Sequence, residues 1–191
     1  MIRTVASLTF VALAAAPARA AGTFGPGTAF CFGDGSMLTA CPCAAPDVVP
    51  TPSGGADGGC ANAFHLGGGK LDGAGSSNPD AVTLSATRLP PDSFSVFFAG
   101  DGAEPDGLAF GDGVKCVRGA LLRFGGQVAT GGVALYPRPE IGHTLPLHDV
   151  TASSIGGGAT IYYQVLYRNA AGTFCNPSPF NLTNGYQVTW N

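Results

Sequence analysis

Hydrophobic positions recur every second residue over much of the chain. The clearest run is 160–168, where Ile161, Tyr163, Val165 and Tyr167 alternate with Thr160, Tyr162, Gln164 and Arg168. Period two over nine residues predicts a half-buried β-strand. Tyr186, Val188 and Trp190 alternate with Gln187 and Thr189, just after the turn dipeptide Asn184-Gly185, and predict a further strand. Val82, Leu84 and Ala86 share one face of 81–89. In 93–99, Phe94, Val96 and Phe98 are expected on one side, with Ser93 and Ser95 on the other. Pro90-Pro91-Asp92 between these two runs reads as the turn of a hairpin. Shorter strands are predicted at 114–117, 120–124 and 133–136. The segment 145–150 is an edge strand at best, because Pro146 cannot donate to a ladder.

No stretch after the first twenty residues keeps a 3.6-residue period over three turns. Many short strands separated by turn signals define the expected fold class. It is all-β, an antiparallel sandwich of immunoglobulin-like or jelly-roll-like type, with a loop-rich Gly/Cys N-terminal part. Composition agrees. The chain carries 30 glycines in 191 residues. Each glycine inside a helix would cost about 1 kcal/mol relative to alanine.

Residues 1–20 form a different kind of segment. Arg3 precedes the uncharged apolar run Val5–Ala16, and Ala18-Arg19-Ala20 is a small-x-small cleavage site. This is the signature of a secretory signal peptide. Pro17 and Arg19 end the run too early for a membrane span, which needs about 20 apolar residues. The expected organisation is therefore a signal peptide at 1–20, a Cys/Gly-rich extension at 21–80 and a β-sandwich at 81–191. Charged residues make up only 11% of the chain, with 12 acidic and 9 basic positions. Two of the basic ones, Arg3 and Arg19, lie in the leader. An acidic chain without a Lys/Arg cluster argues against nucleic-acid partners.

All six cysteines, Cys31, Cys41, Cys43, Cys60, Cys116 and Cys175, follow the leader. An even number in an exported chain reads as a disulfide framework. Cys41-Pro42-Cys43 lacks the two-residue gap of a zinc knuckle. Cys116 and Cys175 stand outside the N-terminal group and are expected to pair. The other four would then join as Cys31–Cys41 with Cys43–Cys60, or as Cys31–Cys43 with Cys41–Cys60.

Phe32-Gly33-Asp34-Gly35 recurs as Phe110-Gly111-Asp112-Gly113. Two Asp-Gly turns account for it; a pair of ligand loops is the alternative. Taken with Cys41-Pro42-Cys43, Tyr162-Tyr163-Gln164, Tyr167-Arg168-Asn169 and Asn181-Leu182-Thr183-Asn184-Gly185, these motifs resemble an uncharacterised family of exported, Gly- and Cys-rich bacterial β-domains. The resemblance implies a bacterial cell-exterior protein and a β fold. It implies no activity and no site residues.

Chemistry is thinly marked. His65, His143 and His148 lie in no hydrolase motif, and Gly-x-Ser-x-Gly is absent. Glu104 and Glu140 are the two glutamates, each beside a proline. The acidic loop with Asp101, Glu104, Asp106 and Asp112 could offer oxygen ligands to Ca²⁺, but it lacks the EF-hand order, so a solvated loop is expected. Tyr162, Gln164 and Arg168 form the candidate ligand face of the best strand. Asn181-Leu182-Thr183 matches a glycosylation sequon. No cofactor is expected. The reading is a secreted, non-catalytic structural or binding module of the bacterial exterior, its partner a carbohydrate or another surface protein. A lectin-like module and a small secreted hydrolase are the alternatives.

Overall fold

The computed structural model describes residues 25–43, 54–155, 160–170 and 179–190. The leader, Cys175 and the cleavage site lie outside them. Within the described residues every strand pairing is antiparallel, and a single α-helix is present. The all-β, sandwich-like expectation holds.

The largest sheet has six strands. β1 (Gly27–Phe30) lies at one edge, followed by β11 (Gly185–Thr189), β9 (Thr160–Arg168), β4 (Phe94–Gly100) and β7 (Leu122–Val128). β10 (Phe180–Leu182) pairs with the second half of β9, so β10 and β11 share one edge of that strand. The break between them is bridged by Thr183. Its N–H donates to the Val165 carbonyl at 3.0 Å, and its Oγ1 accepts the Val165 N–H at 3.1 Å.

A second sheet contains β2 (Lys70–Ala74), β3 (Thr83–Thr87) and β8 (Ala134–Tyr136). It packs on the inner face of the large sheet, where Leu71, Leu84, Ala86 and Tyr136 meet Phe97, Val165, Tyr163 and Tyr167. Gly73 permits this closeness, since a Cβ there would sit 2.6 Å from the Tyr186 ring. The helix α1 (Leu147–Ile155) adds Leu147 and Ile155 to the same core. The third unit is a hairpin of β5 (Gly102–Phe110) and β6 (Gly113–Arg118). It lies on the outer face, with Val117 packed against Phe98 and Leu182.

Residues 25–80 are tied to the later chain by sheet and disulfide. β1 pairs with β11 and β2 with β3. Cys31, just after β1, is bonded to Cys116 in β6, and Cys41 is bonded to Cys60. The expected Cys116–Cys175 bond is thereby corrected, as are Cys31–Cys41, Cys43–Cys60 and the alternative Cys31–Cys43, while the alternative's Cys41–Cys60 bond is present. Distance along the chain misled because β6 folds back beneath the end of β1, 85 residues away.

Three local readings also change. The 81–89 and 93–99 runs are not a hairpin: Arg88 and Asp92 adopt positive φ, and the turn carries the chain from one sheet to the other. In β4 the core face is Ser95, Phe97 and Ala99, while Phe94, Val96 and Phe98 point outward. The expected division into two faces is present, but both faces carry apolar groups, and the serine-bearing one, with the Ser95 hydroxyl donating to the Gln127 carbonyl at 3.1 Å, is the one in the core. The segment read as an edge strand at 145–150 begins α1 instead. Pro146 stands just before the helix, where no intrahelical donor is needed, and its carbonyl accepts the Val150 N–H at 3.2 Å.

Candidate functional site

The hairpin does not cover the whole outer face of the large sheet. Val96 and Phe98 project outward from β4, and Leu166 does so from the neighbouring β9. Side chains two apart on a strand share a face, so these three form one apolar floor. Phe180 and Leu182 of β10 continue it. Phe110 and Lys115 rise from the hairpin on one side; Leu121 and Arg123 stand on the other. Together they enclose a groove of about 350 Å³. That volume lies within the usual range for small-molecule sites, about 300–1,000 Å³.

The turn of the β5–β6 hairpin sets one wall. Gly111 takes φ +65° at the first of its two loop positions, which a side chain would resist. The Asp112 N–H donates to the Phe180 carbonyl at 2.9 Å. These two features seat Phe110 against Phe180, with ring centroids 5.1 Å apart. Lys115 then stands over the Phe110 ring, its Nζ 6.0 Å from the centroid.

The electrostatics single this face out. Lys70 is paired with Asp57 and Asp72, Arg88 with Asp57, Arg118 with Glu104 and Arg138 with Glu140. Among the described residues, the lysines and arginines with no carboxylate within ion-pair distance are Lys115, Arg123 and Arg168. Lys115 and Arg123 line the groove, where no acidic residue joins them. Arg168 follows Leu166 on the same face of β9 and borders a second hollow of about 340 Å³ with Phe64, Phe94 and Pro91. Phe64 and Phe94 are exposed there.

The structure separates the ligand residues expected on β9. Gln164 is fully buried beneath the hairpin; its Oε1 accepts the Cys116 N–H at 2.9 Å, and its Nε2 donates to the carbonyls of Val114 and Thr183 at 2.9 and 2.7 Å. Tyr162 is half-buried and meets Phe30 edge-on at 5.8 Å. Only Arg168 remains exposed, so the three do not make one ligand surface.

The acidic loop is also dispersed, because residues 102–110 form β5. Asp101 accepts the Ala120 N–H at 2.9 Å, and Glu104 pairs with Arg118 at 3.8 Å. Asp106 is exposed, its carbonyl taken by the Thr39 N–H at 3.1 Å. Asp112 is buried and accepts the Asn169 amide at 3.0 Å; burial raises its carboxyl above the ordinary range, and the Asn169 bond partly opposes this. No set of three His, Cys, Asp or Glu side chains among the described residues is placed to hold a metal ion.

The two Phe-Gly-Asp-Gly echoes also part company. Asp112 is buried in the hairpin turn, whereas Asp34 closes a surface turn by accepting the Ser36 N–H and hydroxyl, which lower its pKa. They share a turn, not a ligand site. His148 stacks on Trp190 at 4.7 Å, His143 lies beside Tyr136, and His65 is exposed. Among the described residues no histidine side chain hydrogen-bonds a serine or a carboxylate. The sequon Asn181 is fully buried and donates to the Ala61 carbonyl at 2.8 Å, which leaves no room for a glycan.

Lys115, Arg123 and the aromatic floor were not singled out from the sequence. Their one local signal was Phe97-Phe98, adjacent aromatics that give β4 two apolar faces. The assembled groove can bury an apolar body and neutralise a negative group. Its lining contains no Ser, Thr, Cys, His, Asp or Glu side chain. No family model, no curated protein and no solved structure matches the chain.

Proposed function

We propose that this is an exported, non-catalytic binding module of the bacterial cell exterior, whose working surface is the groove on the outer face of the large sheet. One observation carries the reading. An acidic chain that pairs its other described lysines and arginines with carboxylates keeps three cations unpaired, and all three stand on a single apolar face. A cation beside apolar surface without a counter-charge gains most from a ligand that brings both an apolar body and a negative group.

The disulfides support an oxidising compartment. The leader-like first twenty residues supply the export route, with the mature chain starting near Ala21. No helix among the described residues is long and apolar enough to cross a membrane.

The test uses the intact mature protein and the dye anilinonaphthalene sulfonate, which is apolar and anionic. Saturable binding of about one dye per chain is expected, weakened when Leu166→Trp fills the groove floor. Absence of binding by the well-folded protein would sink the reading. A lectin-like reading has one observation of its own: exposed Phe64 and Phe94 flank Arg168, and aromatic faces suit sugar stacking. Glycan-array binding abolished by Phe94→Ala, and untouched by Leu166→Trp, would favour it.

A further inference from the structure

We infer that the ligand of the groove is a single-chain fatty acid, its hydrocarbon lying along Val96, Phe98 and Leu166 and its carboxylate held by Lys115 and Arg123. The inference rests on the groove being the binding site, as proposed above.

The shape argues for one chain. About 350 Å³ is near the small end of ligand sites, and the hairpin closes one side through the Phe110–Phe180 contact. The lining has no hydroxyl, amide or carboxylate side chain, so it has no side-chain acceptor for the O–H groups of a sugar or the N–H groups of a peptide. Its polar side chains are two cations, and that charge pattern selects an anion. Arginine presents a planar fork that matches a carboxylate, and lysine adds a point charge. A fatty acid supplies one carboxylate and one apolar tail, and each of them meets its complement here.

Two quantitative consequences follow. Each methylene buried should multiply affinity by about four, so each two-carbon extension should gain roughly fifteenfold until the groove is full. The carboxylate should contribute at least about tenfold over an uncharged head, as charge-assisted hydrogen bonds do.

The experiment is displacement of bound anilinonaphthalene sulfonate from the intact mature protein. The competitors are octanoate, decanoate and dodecanoate, all below their micelle concentrations. Dodecyltrimethylammonium, which has the same chain and the opposite charge, is the control. The expected order is dodecanoate, decanoate, octanoate, with the cationic control at least about tenfold weaker than dodecanoate. The double variant Lys115→Met, Arg123→Met should erase that preference while its thermal melt stays at the wild-type temperature. Neither residue has an ion pair to lose, so the variant should fold.

Equal affinity for dodecanoate and the cationic control would overturn the role of Lys115 and Arg123. Dye that binds but is not displaced by dodecanoate would overturn the fatty-acid assignment and leave the groove as a site for another ligand. Failure to bind the dye at all would overturn both. Binding only to phosphatidylglycerol vesicles, and not to monomeric dodecanoate, would also overturn the inference.

Discussion

The side-chain amide of Gln164 accepts the backbone N–H of Cys116 at 2.9 Å, joining the central strand of the large sheet to the hairpin that lies across it. The same amide group donates to Val114 and Thr183. One fully buried side chain therefore satisfies three backbone groups from two other segments, where the flat face of β9 meets a strand that is not its ladder partner. It also holds Cys116 in place for its bond to Cys31.

Gln164→Leu keeps the volume and strands those three groups. Leaving a buried donor or acceptor unpaired costs about 1–3 kcal/mol each, and water entry relieves part of the sum, so a loss of about 3 kcal/mol is expected. In a domain of this size that corresponds to a melting temperature lower by roughly 6–12 °C. Calorimetry of the disulfide-intact protein reads it. A shift under 2 °C would mean that the layers hold by apolar packing alone.

Asp80 links two elements that are distant in sequence. Its Oδ2 accepts the His148 N–H in the first turn of α1 at 2.8 Å, while its Oδ1 accepts the Val82 N–H at 3.2 Å. Removing a side-chain cap costs about 1 kcal/mol. Asp80→Ala should therefore lower the melting temperature by roughly 2–4 °C, and Asp80→Asn, which retains the acceptor, by less. Equal losses in the two variants would assign the effect to charge rather than to the cap.

Asp112 gives a pH dependence whose sign can be worked out. Its folded-state carboxyl is raised above the ordinary 3.8 by burial, so the fold favours the neutral form. Stability from this group is then present below pH 3.8 and is lost as the pH rises through the folded value. Asp112→Asn removes the ionisation and can still offer Asn169 an amide oxygen. The variant should gain on wild type at pH 7, with the gain shrinking towards pH 3. Urea melts at the two pH values decide it. A difference independent of pH would show that the buried carboxyl carries no linked stability.

What could be read from the sequence depended on how many faces each element buries. β9 was legible to the residue, because Ile161, Tyr163, Val165 and Tyr167 all enter the core while the other side stays more polar. β4 was legible as a strand but not in its orientation, since Phe97 and Phe98 are buried on opposite faces. β5 was hidden by Glu104, Pro105 and Asp106, which stand on a mostly exposed hairpin strand. α1 buries Leu147, Thr151 and Ile155, only two turns of period, and its cap comes from Asp80, which no local pattern announces. The groove was illegible for a stronger reason: it is assembled from the hairpin and four other strands. The conspicuous polar motifs proved to be internal scaffolding. Asn169, Asn181, Thr183 and Asn184 are all buried and spend their hydrogen bonds on backbone or on Asp112.

The covalent framework yields the last prediction. Cys31–Cys116 closes a separation of 85 residues and Cys41–Cys60 one of 19. In the chain-entropy model these are worth about 4.5 and 3 kcal/mol respectively, before any native strain is counted. Two cysteines of the six remain, Cys43 and Cys175. Cys43 is itself disulfide-bonded, and the even number of cysteines in the sequence predicts a bond to Cys175. Non-reducing peptide mapping of protein recovered from an oxidising compartment should therefore return Cys31–Cys116, Cys41–Cys60 and Cys43–Cys175, with no free thiol. Cys31→Ser with Cys116→Ser should cost more stability than Cys41→Ser with Cys60→Ser, because it opens the longer loop and loosens the strand that Gln164 anchors. A mapped peptide joining Cys116 to Cys175 would overturn the framework. Equal losses in the two double variants would show that loop length does not set the contribution of these bonds.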